Sequence, residues 1–169
     1  SNYRSFVNGI FIDDIGNTKP DFVEKSPTNK IIEICNNVRQ YANMAEADMK
    51  GKISIEPKFV NLTTNVKSLC AHTYSNEPVS IARRAHLTVT VKVKPEFCSR
   101  GLAGSVGQQL DSQKVAEFYT VDGVVDIPLI PDLWLLTVER VVPTPGSTEN
   151  SHDNIAYELF HHKGQPLKD

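Results

Sequence analysis

Arg83, Arg84, His86, Lys92, Lys94 and Arg100 form the densest cationic neighbourhood of the chain. Such side chains hold phosphates or carboxylates through charge-assisted hydrogen bonds, and a guanidinium does so with paired donors. From Arg84 to Lys94 the residues alternate in character. Ala85, Leu87, Val89, Val91 and Val93 fall on one side, and Arg84, His86, Thr88, Thr90, Lys92 and Lys94 on the other. A strand has a side-chain period of two, so the run predicts one strand with an apolar face on a core and a wet, cationic face without acids. Same-face neighbours repeat about every 6.6 Å, comparable to phosphate or lipid headgroup spacing. The face is therefore the expected contact for nucleic acid or an anionic membrane surface. Its plainer reading is a solvated surface whose lysines discourage edge pairing. It carries no aromatic platform for stacking bases.

Other residues offer different chemistry. His86-Leu87-Thr88 resembles half of the paired His-x-Thr signature of two-histidine phosphoesterases, but no second copy exists: Thr73 follows His72 at the wrong offset, and His152 and His161 have no such partner. A small phosphate-handling enzyme using His86, Thr88 and Arg100 is accordingly the alternative reading. Arg100-Gly101-Leu102-Ala103-Gly104-Ser105-Val106-Gly107 could bring backbone N–H groups to a phosphate, yet it lacks the Gly-Lys-Ser/Thr of a P-loop and reads as a linking loop. Cys35 falls on an apolar helical stripe, Cys70 in an apolar strand, and Cys98 beside Arg100, which could lower its pKa, with no histidine or acid adjacent to Cys98 in sequence. Asp13-Asp14, Asp21 and Glu24 could meet a hard cation, but they lack EF-hand spacing and read first as solvated turn acids. No metal set and no cofactor is implied.

The elements that must position these groups follow from pattern. Asn8-Gly9 between apolar arms predicts an N-terminal hairpin. Ser26-Pro27 opens a predicted helix over about 27–50, whose stripe is Ile31, Ile34, Cys35, Val38, Tyr41, Ala42, Ala45 and Met49. Strands are predicted over 53–62, interrupted at Pro57, and over 66–74, 84–94, 133–142 and 155–161. A second hairpin turns at Asp122-Gly123, an exposed loop spans 143–154, and 163–169 reads as a loose tail.

One helix among many strands predicts an α+β fold: a mainly antiparallel sheet of about six to eight strands covered by one long amphipathic helix. A β-sandwich or barrel with an external helix is the alternative. At 169 residues the chain is expected to form a single globular domain. The net charge of −2 argues against a dedicated, strongly basic nucleic-acid binder, although a local patch acts at short range regardless of the total. Three widely spaced cysteines suit a reducing, cytoplasmic setting, and no transmembrane segment is read. The sum is a non-enzymatic binding or assembly module, a profile shared with viral structural or accessory proteins and adaptor domains. A protein partner or self-association is expected through the apolar stretch 127–136, with Leu133 and Trp134 as interface anchors.

Overall fold

Ser26 and Pro27 do start a helix, but it ends at Ile34, one turn after its only fully buried apolar side chain, Ile31. The next residues, Cys35-Asn36-Asn37-Val38, are all weak helix formers, and asparagine competes for the backbone with its own side chain. Gln40 and Tyr41 are instead a short strand. Val38, expected on the buried stripe, is 62% exposed. The long helix over 27–50 is thereby replaced by two turns of helix and a strand. Ala45 and Met49 lie outside the described residues.

The computed structural model describes residues 7–17, 26–36, 38–42, 48, 50–99, 109–144 and 154–167. In chain order the elements are β1 (Gly9–Ile12), α1 (Pro27–Ile34), β2 (Gln40–Tyr41), β3 (Ser54–Ile55), β4 (Phe59–Leu62), α2 (Ala71–Tyr74), α3 (Pro78–Ala82), β5 (Thr88–Val93), α4 (Ser112–Phe118), β6 (Thr120–Val121), β7 (Val124–Val125), β8 (Trp134–Pro143), β9 (Ile155–Leu159), β10 (His161–His162) and β11 (Gln165–Pro166). They form several sheets of two or three strands among the described residues, so the expected single sheet of six to eight strands, and the sandwich or barrel alternative, give way to a patchwork. The chain divides into two compact units, Ser1–His86 with Arg140–Glu158, and Leu87–Glu139 with Leu159–Asp169.

In the first unit, β1 and β4 pair in parallel, Gly9 opposite Phe59 and Ile12 opposite Leu62. Gly9 therefore opens a strand and does not turn a hairpin. The Phe59 ring lies where a Gly9 side chain would be, since an added Cβ would stand 2.2 Å from its Cζ atom. Residues 66–74, expected as a strand, are a turn followed by α2. Ile15, Ile31, Leu69, Ala71 and Ile81 form the buried core, with Ile12, Leu62 and Ile155 packed against it. The buried isoleucines Ile15, Ile31 and Ile81 each contribute roughly 1.5–3 kcal/mol by leaving water.

In the second unit, β5 pairs antiparallel with β8, Val89 opposite Val138 and Val91 opposite Leu136. The alternation is real, but over residues 87–91 its burial is the reverse of the expectation. Leu87, Val89 and Val91 are about half exposed, whereas Thr88 and Thr90 are partly covered, and the Thr90 hydroxyl donates to Glu139 Oε2 at 3.1 Å. The core gathers at the end of this ribbon, where Val93, Phe97, Cys98, Val115 and Leu133 are buried together. Asp111 caps α4 by accepting from the Gln113 and Lys114 amides. Asp122 and Gly123 take positive φ in the turn joining β6 to β7, as their types demand. The expected loose tail is instead a hairpin, β10 with β11, turning at Lys163 and Gly164.

Candidate functional site

The chain places its best-held polar cluster at the carboxyl edge of the parallel pair. Ile10-Phe11-Ile12 is an apolar strand that ends in Asp13-Asp14, and Phe59-Val60-Asn61-Leu62 ends in Thr63-Thr64-Asn65. With Ile12 opposite Leu62, the two polar ends must lie side by side. The Thr63 hydroxyl donates to Asp13 Oδ1 and accepts from the Asp14 amide at 3.1 Å. Asp14 Oδ1 accepts from Asn17 Nδ2 at 2.6 Å and, more weakly, from Asn65 Nδ2 at 3.5 Å. Ile15 N donates to the Thr63 carbonyl at 2.9 Å, and the Thr64 hydroxyl donates to the Ile15 carbonyl at 2.6 Å.

Backbone conformation sharpens this edge. Asp14 has φ +56°, Gly16 +80°, Leu69 +57° and Cys70 +49°. A left-handed conformation is unfavourable for a leucine or cysteine, and such residues persist where the surroundings over-determine them. Gly16 packs its α-carbon against the Leu69 backbone, with the Leu69 carbonyl oxygen 3.0 Å from the position of an added Cβ. The acids expected as solvated turn residues are thus exposed but fixed. An apolar strand ending in Asp-Asp, paired with one ending in Thr-Thr-Asn, is the sequence signal that could have found them. Asp21 and Glu24 lie outside the described residues.

The described cationic residues do not all lie on one strand. Arg83 and Arg84 follow α3, whose Pro78, Val79, Ile81 and Ala82 are buried, and β5 begins only at Thr88. In the first unit, Arg83, Arg84 and His86 line an open cleft of about 260 Å³ together with Cys35 and Asn36. The Arg84 guanidinium donates to the Ser80 carbonyl, while its buried Nε has no hydrogen-bond partner among the described residues. Burial pushes the Cys35 thiol above its ordinary pKa, and the Arg84 charge opposes that rise. Among the described residues no other histidine lines the cleft. In the second unit Lys92 is exposed, Lys94 pairs with Asp132 at 2.5 Å, and Thr88 sits half-buried on β5. Arg100 and the glycine-rich segment lie outside the described residues. Leu133 is buried in its own unit's core, while Trp134 is 40% exposed. Cys35, Cys70 and Cys98 are all free thiols.

Among the described residues no helix is long and apolar enough to cross a membrane, and no three His, Cys, Asp or Glu side chains are grouped to hold a metal unaided. No curated protein and no solved structure matches the chain. One family model does: residues 1–66 of the 169 match the family described as RNA helicase, a segment that holds β1, β4, the acid pair and Asn65.

Proposed function

We propose that this chain carries part of a magnesium–nucleoside triphosphate site of the RNA-helicase type, centred on Asp13 and Asp14. The observation that supports it is the acid pair fixed at the carboxyl edge of a parallel strand pair. In open α/β sheets ligands bind outside the carboxyl ends of the strands. In phosphoryl-transfer sites of this class an aspartate there helps hold the metal, and a polar neighbour orients the attacking water. Residues 1–66, which match the RNA-helicase family model, include this edge.

The donor set fits the cation. Only Oδ1 of each carboxylate is engaged among the described residues, which leaves each Oδ2 for a ligand. Two carboxylates would be too few for a self-sufficient metal cage, but Mg²⁺ is commonly held by one or two carboxylates together with substrate phosphates. When bound, the ion would neutralise charge on the phosphates. The chain's own residues then have separable tasks: Asp13 and Asp14 hold the cation, Thr63 and Asn17 orient the carboxylates, and Asn65 stands where it can position a water. The sequence holds no Gly-x-x-x-x-Gly-Lys-Ser/Thr.

The nucleic-acid part of the reading draws on the same resemblance. The cationic side chains that suit an RNA backbone are Arg83, Arg84 and His86 around their cleft, and Lys92 on β5. A fluorescent ATP analogue titrated with Mg²⁺, and again with the metal chelated, tests the central part. Binding that needs the metal and is lost in Asp13→Asn and Asp14→Asn is the expected result. Equal binding by wild type and both variants would remove the acid pair from the site.

A further inference from the structure

The loop that carries Asn65 is tied to a residue far along the chain. Tyr157, on β9, donates its hydroxyl to the Lys67 carbonyl at 2.8 Å, and Lys67 Nζ lies 4.2 Å from the centroid of the Tyr157 ring. One side chain thus holds Lys67 twice, through its backbone and through its ammonium group. Lys67 lies inside the short segment that closes the acid edge. Thr64 Oγ1 accepts from the Val66 amide at 3.0 Å while donating to Ile15, and the Leu69 amide donates to the Val66 carbonyl at 2.8 Å. Leu69 then presses its backbone on Gly16, two residues beyond Asp14. The segment is held by two left-handed non-glycine residues at its end, a conformation it would relax from if released.

We infer that Tyr157 is a positioning residue for the acid edge: by fixing Lys67 it holds Thr63 and Asn65 against Asp13 and Asp14. The inference rests on the reading of that edge as a magnesium–nucleotide site. Its physical content is pre-organisation. A polar neighbour that wanders by an ångström no longer orients a carboxylate or a water, although it takes no part in bonding the ligand. The tie is partly exposed, so each of its two contacts is modest and their loss weakens the site without abolishing it.

Three variants separate the contacts. Tyr157→Phe keeps the ring over Lys67 and removes the hydroxyl, Lys67→Met removes the cation alone, and Tyr157→Leu removes both contacts. Amide hydrogen exchange at Val66 and Leu69 is measured in each, alongside affinity for a fluorescent ATP analogue with Mg²⁺ and with the metal chelated. In Tyr157→Phe both amides exchange faster, and magnesium-dependent affinity falls about three- to tenfold while chelated binding is unchanged. Tyr157→Leu shows the larger effect on both readouts. Unchanged exchange at Val66 and Leu69 overturns the tie itself. Faster exchange with an unaltered ratio of magnesium-dependent to chelated affinity reduces Tyr157 to a structural contact and overturns its positioning role. A wild type that binds no nucleotide overturns the reading of the site, and the positioning role with it; that failure shows in the unmutated chain and so stands apart from a failure confined to the variants.

Discussion

Asp14 combines a left-handed backbone with a carboxylate held by an asparagine three residues on, and the two features make its substitutions separable. Asparagine tolerates positive φ about as well as aspartate, so Asp14→Asn removes little but charge. Magnesium-dependent nucleotide binding should disappear in that variant, with unfolding free energy in urea changed by less than about 1 kcal/mol. Asp14→Ala should add a backbone cost of roughly 1–2 kcal/mol, visible in the same urea titration. Cys35 offers a test of a different kind. Its folded pKa is raised, chiefly by burial, so the thiol stabilises the fold fully below the ordinary value of 9.0 and loses that contribution as pH rises through the folded value. Thermal stability should therefore fall more steeply on the alkaline side in wild type than in Cys35→Ala. Parallel curves for the two proteins would show that the thiol titrates as in the unfolded chain.

Among the elements, local turn chemistry was legible at Asp122-Gly123 but misled at Asn8-Gly9, which opens a strand, and the hairpin at Lys163-Gly164 was not read at all. Asp122-Gly123 demanded positive φ and turned a hairpin, and the apolar runs before Pro143 and after Asn154 became strands β8 and β9. The stripe read beyond Ile34 failed because periodicity alone cannot see that the helix ends there, ahead of the weak helix formers Cys35 and Asn36. The strand at Thr88–Val93 was found, but not which face would be covered, because period-two alternation marks two faces and leaves the core to be located by long-range contacts. The acid edge is half visible in the sequence: Asp13-Asp14 stands out as an acid pair, while its pairing with Thr63 and Asn65 needs a parallel contact some fifty residues long in sequence. Stability should follow the structure. Ile31→Ala should cost about 2–4 kcal/mol in chemical denaturation, since Ile31 is 1% exposed, and Val38→Asp should cost less than about 0.5 kcal/mol. A large loss at Val38 would restore the longer helix.

At the scale of the molecule, each unit brings its own core, and the acid edge and the arginine cleft both belong to the unit built from Ser1–His86 with Arg140–Glu158. Function at this scale is expected to divide by charge: the carboxylates take the metal and nucleotide, and the cations meet the polyanion. If Arg83 and Lys92 contact RNA phosphates, Arg83→Glu and Lys92→Glu should each weaken binding across unrelated RNA sequences and reduce the salt dependence by about one ion per lost contact. A salt slope identical to wild type in both would leave these side chains solvated. The central claim, that Asp13 and Asp14 hold a divalent cation beside nucleotide, is met most directly by paramagnetic broadening. Mn²⁺ is added in trace amounts with ATP to the isotope-labelled chain, and amide signals are followed by nuclear magnetic resonance. The account predicts selective loss of signals from residues 13–17 and 63–66, abolished in the Asp13→Asn/Asp14→Asn double variant. Broadening centred elsewhere, or persisting unchanged in that variant, would contradict it.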